Sequence, residues 1–276
     1  MTLPDIMERW DGVLYSLNNF AISINYYLHY NSINKILYKN KELKGCHTGE
    51  RCFIVMNGPS INNHDLSKIK DEFVFASNYF FRAQQCKMVN PNYYCWLDAR
   101  ELNTDDAEVL ISEIKEACPN AKLLLNAKAA SKLGENEDIY YVYSKHIANV
   151  YGIRYNLAGI SSNFLTVAFL AAISALYMGF KEIYFLGLDF EPNGFTHFTK
   201  LGENSECVKP GEEFGKIEVA GHYWGYTLAQ YQSYTLEKLS RKLKCNIYNL
   251  NPNSYIRAFE FTEYEKLFNK GERKRL

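Results

Sequence analysis

The chain has 276 residues, 47% hydrophobic and 22% charged, enough to bury a large core and unlike disordered or fibrous sequences. Lys+Arg and Asp+Glu are equal at 31 each, which excludes the global positive field of a protein that binds nucleic acid without sequence preference. Seven cysteines (46, 52, 86, 95, 118, 207 and 245) include no CxxC pair, so neither a disulfide framework nor a zinc site is indicated, and a reducing, cytoplasmic setting fits.

The opening Met1-Thr2-Leu3-Pro4-Asp5 lacks the basic and apolar regions of a signal peptide, and no run of about eighteen apolar residues follows anywhere. From residue 5 to about 38, Ile6, Trp10, Val13, Leu14, Leu17, Ala21, Ile24 and Leu28 recur by threes and fours, predicting an amphipathic helix. Residues 1–48 thus read as a helical appendage. Its aromatics, with Lys35, Lys39, Lys41 and Lys44, allow peripheral contact with the inner face of the plasma membrane. Packing on the core, or on a second copy in a homo-oligomer, is the commoner use of such a helix.

From residue 49 to 260 short β-branched and aromatic runs alternate with helical stretches. The runs are 52–56, 73–76, 93–97, 122–125, 139–142, 183–186 and 246–248. This rhythm predicts an α/β fold, Rossmann-like, with a mostly parallel sheet and helices on both faces. Phe164 to Met178 reads as a helix buried inside it. Residues 199–221, rich in Gly, Glu, Lys and Ser, break the rhythm and are expected to form a lid. Residues 261–276 are expected to hold a C-terminal helix and a basic tail, Lys270 to Arg275, which could also touch an anionic leaflet.

In parallel sheets ligands collect beyond the carboxyl ends of the strands. The first strand runs into Asn57-Gly58-Pro59-Ser60, where Gly58 offers backbone freedom, Pro59 fixes its own φ, and Asn57 and Ser60 offer an amide and a hydroxyl. Main-chain N–H groups of this turn are expected to add to an anion cradle. Asn78 and Asp98 follow the next two strands, as ligand contacts or as helix caps. Ser161, Ser162 and Asn163 precede the long apolar helix, suited to cap it or to present its N-terminus to a phosphate. A later strand ends in Gly187-Leu188-Asp189.

Together these residues resemble the bacterial sialyltransferases of the lipooligosaccharide type. Their wider relatives include polysaccharide glycosyltransferases and an archaeal 6-hydroxymethyl-dihydropterin diphosphokinase. The resemblance covers roughly residues 50 to 260. It is carried by Phe53 to Ser60, Asn78, Gly179 to Tyr184, Gly187-Leu188-Asp189-Phe190, His222-Tyr223-Trp224-Gly225 and Asn251-Pro252-Asn253-Ser254. It implies a GT-A-like nucleotide-binding domain whose cytidine nucleotide is held by Asn57, Gly58, Ser60, Asn78, Asn253 and Ser254. For the Ser/Thr contact ahead of the long helix it leaves Ser162 and Thr166 both open.

In the sialyltransferases a His-Tyr-x-Gly-His block supplies the general base, and here the last position is Tyr226. A phenol, with an ordinary pKa of about 10, is a poor base near pH 7. His222, one helical turn earlier, and His197 are the other contenders, and a protonated His197 could neutralise a leaving phosphate.

The resemblance implies an inverting glycosyltransferase that moves sialic acid or a related nonulosonic acid from a CMP-activated donor to a saccharide hydroxyl. The acceptor would belong to a lipopolysaccharide or capsule, and no cofactor is required, although Mg²⁺ remains open. One alternative is diphosphoryl transfer from ATP to a pterin, with Asp98 and Asp189 as the metal-holding pair. Another, suggested by Tyr226, is a nucleotide-binding relative without activity.

Overall fold

A computed structural model describes residues 3–28, 30–146, 153–190 and 219–268. Two helices come first, α1 (Leu3–Leu28) and α2 (Tyr30–Tyr38), followed by a 3-10 turn at Lys39–Leu43. The strands β1 (Arg51–Val55), β2 (Phe73–Ser77), β3 (Tyr93–Trp96), β4 (Lys122–Asn126) and β5 (Ile139–His146) come next. They are interleaved with α3 (Gln84–Val89), α4 (Ala99–Leu102), α5 (Ala107–Ala117) and α6 (Ala130–Leu133). Then come β6 (Ile160–Ser162), α7 (Val167–Met178), β7 (Glu182–Leu186), α8 (Val219–Lys242), β8 (Asn246–Asn249) and β9 (Glu260–Phe261).

All these strands form one sheet in the order β6-β5-β4-β3-β2-β1-β7-β8-β9. Every pairing is parallel. The expected α/β fold is therefore present. Both faces are covered, which is why the strands read as near-continuous apolar runs. Phe53, Val55, Val74, Trp96 and Leu125 face one core, into which Cys86 of α3, Ile114 of α5 and Leu267 also pack. Cys52, Ile54, Phe75, Cys95 and Phe185 face the other, filled by α7 and by Ala229 and Leu236 of α8.

Helix α7 is buried at all its positions. Its C-terminal carbonyls are satisfied by the turn before β1: Gly45 N–H bonds Tyr177 O at 3.1 Å and His47 N–H bonds Met178 O at 2.8 Å. Gly179 ends the helix at φ 90°, where a Cβ would also lie 2.8 Å from Thr48 Oγ1.

The N-terminal helices lie against the β5 side of the sheet. Asn40, fully buried, fastens them: its Nδ2 donates to Tyr141 O and to Leu157 O, both at 2.7 Å. Replacing it by Ala strands two buried carbonyls, so Asn40→Ala is expected to lower unfolding free energy by about 2–4 kcal/mol in a denaturant titration. Val13, Leu14, Leu17, Phe20 and Ile24 of α1 remain exposed. No helix among the described residues is long and apolar enough to cross a membrane.

The expected C-terminal helix is corrected. Glu260–Phe261 is the edge strand β9 and Tyr264–Leu267 a single 3-10 turn. Tertiary bonds fix this conformation, with Thr262 N–H on Asn249 O at 3.3 Å and Tyr264 Oη on Asp65 O at 2.7 Å. The basic tail lies outside the described residues. So do residues 199–218 of the expected lid, while 219–221 open α8.

Candidate functional site

The chain enters the sheet in its middle at β1, builds outward to β6, and returns through α7 to β7 on the opposite flank of β1. The connections leaving β1 and β7 therefore diverge. In parallel sheets such a switch point, beyond the carboxyl ends of the two strands, is where a ligand is expected.

The two connections are locked together there. Met56 N–H donates to Leu186 O at 2.8 Å and Gly58 N–H to Gly187 O at 2.9 Å, extending the β1–β7 ladder past both strands. Asp189 then reaches back to the β1 connection. Its carboxylate accepts from Ser60 N–H at 2.8 Å, from Ser60 Oγ, and from Asn251 Nδ2 at 2.7 Å. From the β8 side, Ser254 Oγ donates to Leu188 O at 2.6 Å and Asn249 Nδ2 to the same carbonyl at 3.2 Å.

This arrangement corrects the expected roles of the first turn. Gly58 sits at φ −73°, ψ 149°, an extended conformation open to any residue. Glycine is needed there because a Cβ would lie 2.3 Å from Gly187 O and 2.6 Å from Asp189 Cγ. Gly187 is the residue in the left-handed region, at φ 68°, and its own Cβ would meet Met56 O at 2.6 Å. The N–H groups of Gly58, Ser60 and Ile61 are all bonded within the protein, and Pro59 has none, so the turn is a lock rather than an anion cradle. Asn57 differs from its neighbours: it is 8% exposed, and its Oδ1 is buried without a hydrogen-bond partner.

The remaining predicted residues divide. Asn78 follows β2, beside β1, in a left-handed conformation at φ 51° that Asn tolerates, and its carbonyl accepts from Tyr94 Oη at 2.5 Å. Asp98 caps α4 through Arg100 N–H at 2.9 Å and pairs with the Arg100 guanidinium at 2.9 Å, so capping is its observed work. Beside it Trp96 Nε1 and Tyr79 Oη both donate to Glu101, and burial with that carboxylate pushes the Tyr79 phenol up to about 12.

Ser161 and Ser162 do not cap the long helix. They lie buried in β6, at the far edge of the sheet, where Ser162 Oγ accepts from Arg154 N–H at 2.9 Å. The cap is Thr166, accepting from Phe169 N–H at 3.4 Å, and Asn163 O is held by Gln232 of α8 at 2.8 Å. Asn253 is exposed and its N–H closes a turn onto Asn251 Oδ1 at 2.9 Å. Ser254 is 2% exposed, its hydroxyl donating to Leu188 O and accepting from Ile256 N–H. It braces the β7 turn.

Tyr226 is a buttress. Its hydroxyl donates to Phe190 O at 2.8 Å, and its ring stacks on Phe190 at 4.7 Å, holding that residue at φ 55°, a costly conformation for a bulky side chain. Burial raises its pKa further, which makes it a still poorer base. His222 falls in the first turns of α8, though its side chain lies outside the described residues, as does the whole of His197.

Two residues have a part that sequence reasoning did not give them. Asn251, named above only within the block Asn251 to Ser254, lies two residues past β8, where the rule of polar residues past strand ends points to it. His64 follows the 3-10 turn Pro59–Asn63, with its ring 4.7 Å from Tyr264. Burial lowers its pKa, against the opposing pull of Glu265 and Asp189. The unfolded chain then binds the proton more readily, so stability is full above about pH 6.5 and falls as pH drops through the lowered folded value. His64→Gln is expected to flatten that acid-side decline in melting temperature.

The family model described as 6-hydroxymethylpterin diphosphokinase MptE-like matches residues 18–194, which includes β1 to β7 and both halves of the Gly58–Gly187 lock. No curated protein matches the chain. Among solved structures it is similar to the sialyltransferase CstII from Campylobacter jejuni, studied in complex with a substrate analogue, cytidine-5'-monophosphate. The identity is 17% and the TM-score 0.47, over 78% of this chain and 85% of that one. It is also similar to the MAf glycosyltransferase from Magnetospirillum magneticum AMB-1, at 14% identity and TM-score 0.43, over 83% of this chain but 38% of that larger one. With well over half of its residues inside the family match, the chain belongs to the MptE-like family.

Proposed function

We propose that the protein is a glycosyltransferase that takes a sugar, sialic acid or a related nonulosonic acid, from a CMP-activated donor to a saccharide hydroxyl, with inversion. The observation that carries this reading is the buried, unpartnered Oδ1 of Asn57 at the switch point. An acceptor cannot serve a phosphate oxygen, which has no proton to give. It calls for a donor, and a nucleoside offers several in its ribose hydroxyls and exocyclic amine. Leaving such an atom unsatisfied costs about 1–3 kcal/mol, which a bound nucleoside would recover.

In the proposed reaction the acceptor hydroxyl attacks the anomeric carbon, its proton passes to a base, and CMP departs with the bonding pair. Because Tyr226 is committed to Phe190, His222 on α8 is the proposed base. His197 is proposed to offset charge on the leaving phosphate. The exposed apolar side chains Val13, Leu14, Leu17, Phe20, Ile24 and Leu28 of α1 support work at the inner face of the plasma membrane on a surface glycan.

Thermal-shift titration with CMP, CDP, UDP, GDP and ATP, with and without Mg²⁺, tests the reading. CMP without metal is expected to raise stability, by about 2.7 kcal/mol at 100 times its dissociation constant, and Asn57→Ala to remove most of that rise. Absence of any CMP effect would sink it.

The family description supports a second reading, diphosphoryl transfer from ATP to a pterin. Asp98 and Asp189 are poorly suited to share its metal. They follow β3 and β7, three strand spacings apart in the sheet, or about 14 Å, and both carboxylates are engaged within the protein. A shift with ATP and Mg²⁺ alone would favour this reading. No shift with any nucleotide would favour an inactive relative.

A further inference from the structure

We propose that a cleft between the N-terminal helices and the approach to β6 binds a saccharide carrying a carboxylate or phosphate. The cleft holds about 660 Å³, within the roughly 300–1,000 Å³ usual for small-ligand sites. One wall is Tyr26 and Tyr27 at the end of α1, Tyr38 of α2 and Lys41, and the other is residues 153–160. Its chemistry is aromatic and cationic, and none of the described residues that line it is a carboxylate.

The rings are arranged for a sugar face. Tyr26 forms the floor, 5% exposed and edge-on to Tyr27 at 5.5 Å, while Tyr27 and Tyr38 stand 69% and 59% exposed at the rim. Exposed phenols present an apolar face and a hydroxyl together, the pair of features a pyranose uses. Lys41 Nζ lies 4.1 Å over one face of the Tyr38 ring, which sets an ammonium beside the aromatic rim. Across the cleft the Arg154 backbone is pinned to β6 by two bonds, Arg154 N–H to Ser162 Oγ at 2.9 Å and Ser162 N–H to Arg154 O at 3.0 Å. Arg154 is exposed and lines the cleft, and its guanidinium can grip a carboxylate or phosphate in two-point fashion.

The two walls are held in register by Asn40, which bonds Leu157 O from beneath, so the cleft is preorganised. Its β6 wall begins level with the carboxyl end of β4. Ile160 pairs with Tyr143, one residue beyond the Val142 that faces the last residue of β4. The proposed donor site at β1 is five strand spacings or about 24 Å away in the sheet, a span an extended oligosaccharide can cover. Use of the cleft to hold the acceptor chain rests on the glycosyltransferase reading, whereas ligand binding itself does not.

The test uses the full chain without any nucleotide. Sialyllactose, mannose 6-phosphate and lactose are titrated by calorimetry and saturation-transfer NMR, with phosphatidylglycerol vesicles in a parallel flotation assay. Sialyllactose or mannose 6-phosphate, whichever carries the preferred anion, is expected to bind about tenfold or more tighter than lactose. That binding should weaken as salt rises from about 50 to about 300 mM. Lys41→Ala with Arg154→Ala, and separately Arg154→Glu, should weaken it about tenfold or more. Tyr38→Ala should weaken all sugars, charged or neutral. Both cations are exposed, so unchanged melting temperatures are expected to certify the fold. Equal binding of lactose, no binding of any sugar, full binding by the double variant, or capture by vesicles alone would each overturn the proposal. Because no nucleotide is present, these outcomes are independent of failure to bind CMP.

Discussion

Gly58→Ala is expected to be the most damaging single-methyl change in the protein. The added carbon would sit 2.3 Å from Gly187 O and 2.6 Å from the Asp189 carboxyl, and neither neighbour is the free end of a flexible chain. Gly187 O is bonded to Gly58 N–H and Asp189 is tied to Ser60 and Asn251, so relief requires the β1 and β7 connections to separate. Overpacking of a tight site costs about 1–3 kcal/mol, and the upper end applies here. A drop of roughly 6–12 °C in melting temperature is the expected result. Loss of CMP-induced stabilisation should accompany it, since Asn57 is the adjoining residue. A variant that melts like the parent and still responds to CMP would show that the site tolerates a separation the structure does not suggest. Gly225→Ala serves as control: a Cβ there meets nothing within 4 Å, and its melting temperature should stay close to the parent's.

Asp189→Ala carries the second large effect. Three donors converge on its carboxylate, and truncation leaves Ser60 N–H, Ser60 Oγ and Asn251 Nδ2 without their acceptor. The expected cost is about 2–4 kcal/mol of stability, with CMP affinity reduced about tenfold or more as the turn loosens. Asp189→Asn separates geometry from charge. It keeps one oxygen for the Ser60 N–H but turns an N–H₂ toward one of the other donors, so it should fall between parent and Ala in stability. If Ala and Asn variants bind CMP as tightly as the parent, Asp189 has no part in shaping the site. If catalysis depends on Asp189 holding a metal, Mg²⁺ should alter the parent's response to nucleotide and leave the Ala variant's unchanged.

The base can be located by a pair of changes with opposite expectations. Tyr226→Phe removes the bond to Phe190 O but keeps the ring stack, so donor hydrolysis should survive with a modest fall. His222→Ala should abolish turnover while leaving CMP binding in place, because proton transfer contributes about 10²- to 10⁴-fold. The reverse pattern would restore the phenol to the catalytic role that its hydrogen bond argues against.

The sequence by itself determined the fold class and the seven longer strands, because a strand buried on both faces must be largely apolar and such runs are visible without coordinates. It also located both halves of the switch point, since polar residues directly after a parallel strand lie at the ligand edge by construction. Only the tertiary structure could decide β6 and β9, three and two residues long, whose pairing rests on neighbours far away in the chain. It decided which glycine was strained and which merely crowded: φ at Gly58 is ordinary, and the approach of Gly187, 129 positions later, is what forbids a side chain there. It assigned Ser60, Ser254, Asp98 and Tyr226 to structural bonds, where residue type alone had allowed contact with a ligand or proton. The physical reason is common to all of these. Apolar periodicity is a local property that each segment carries with it, whereas a polar group's role depends on which partner the fold brings within about 3 Å of it.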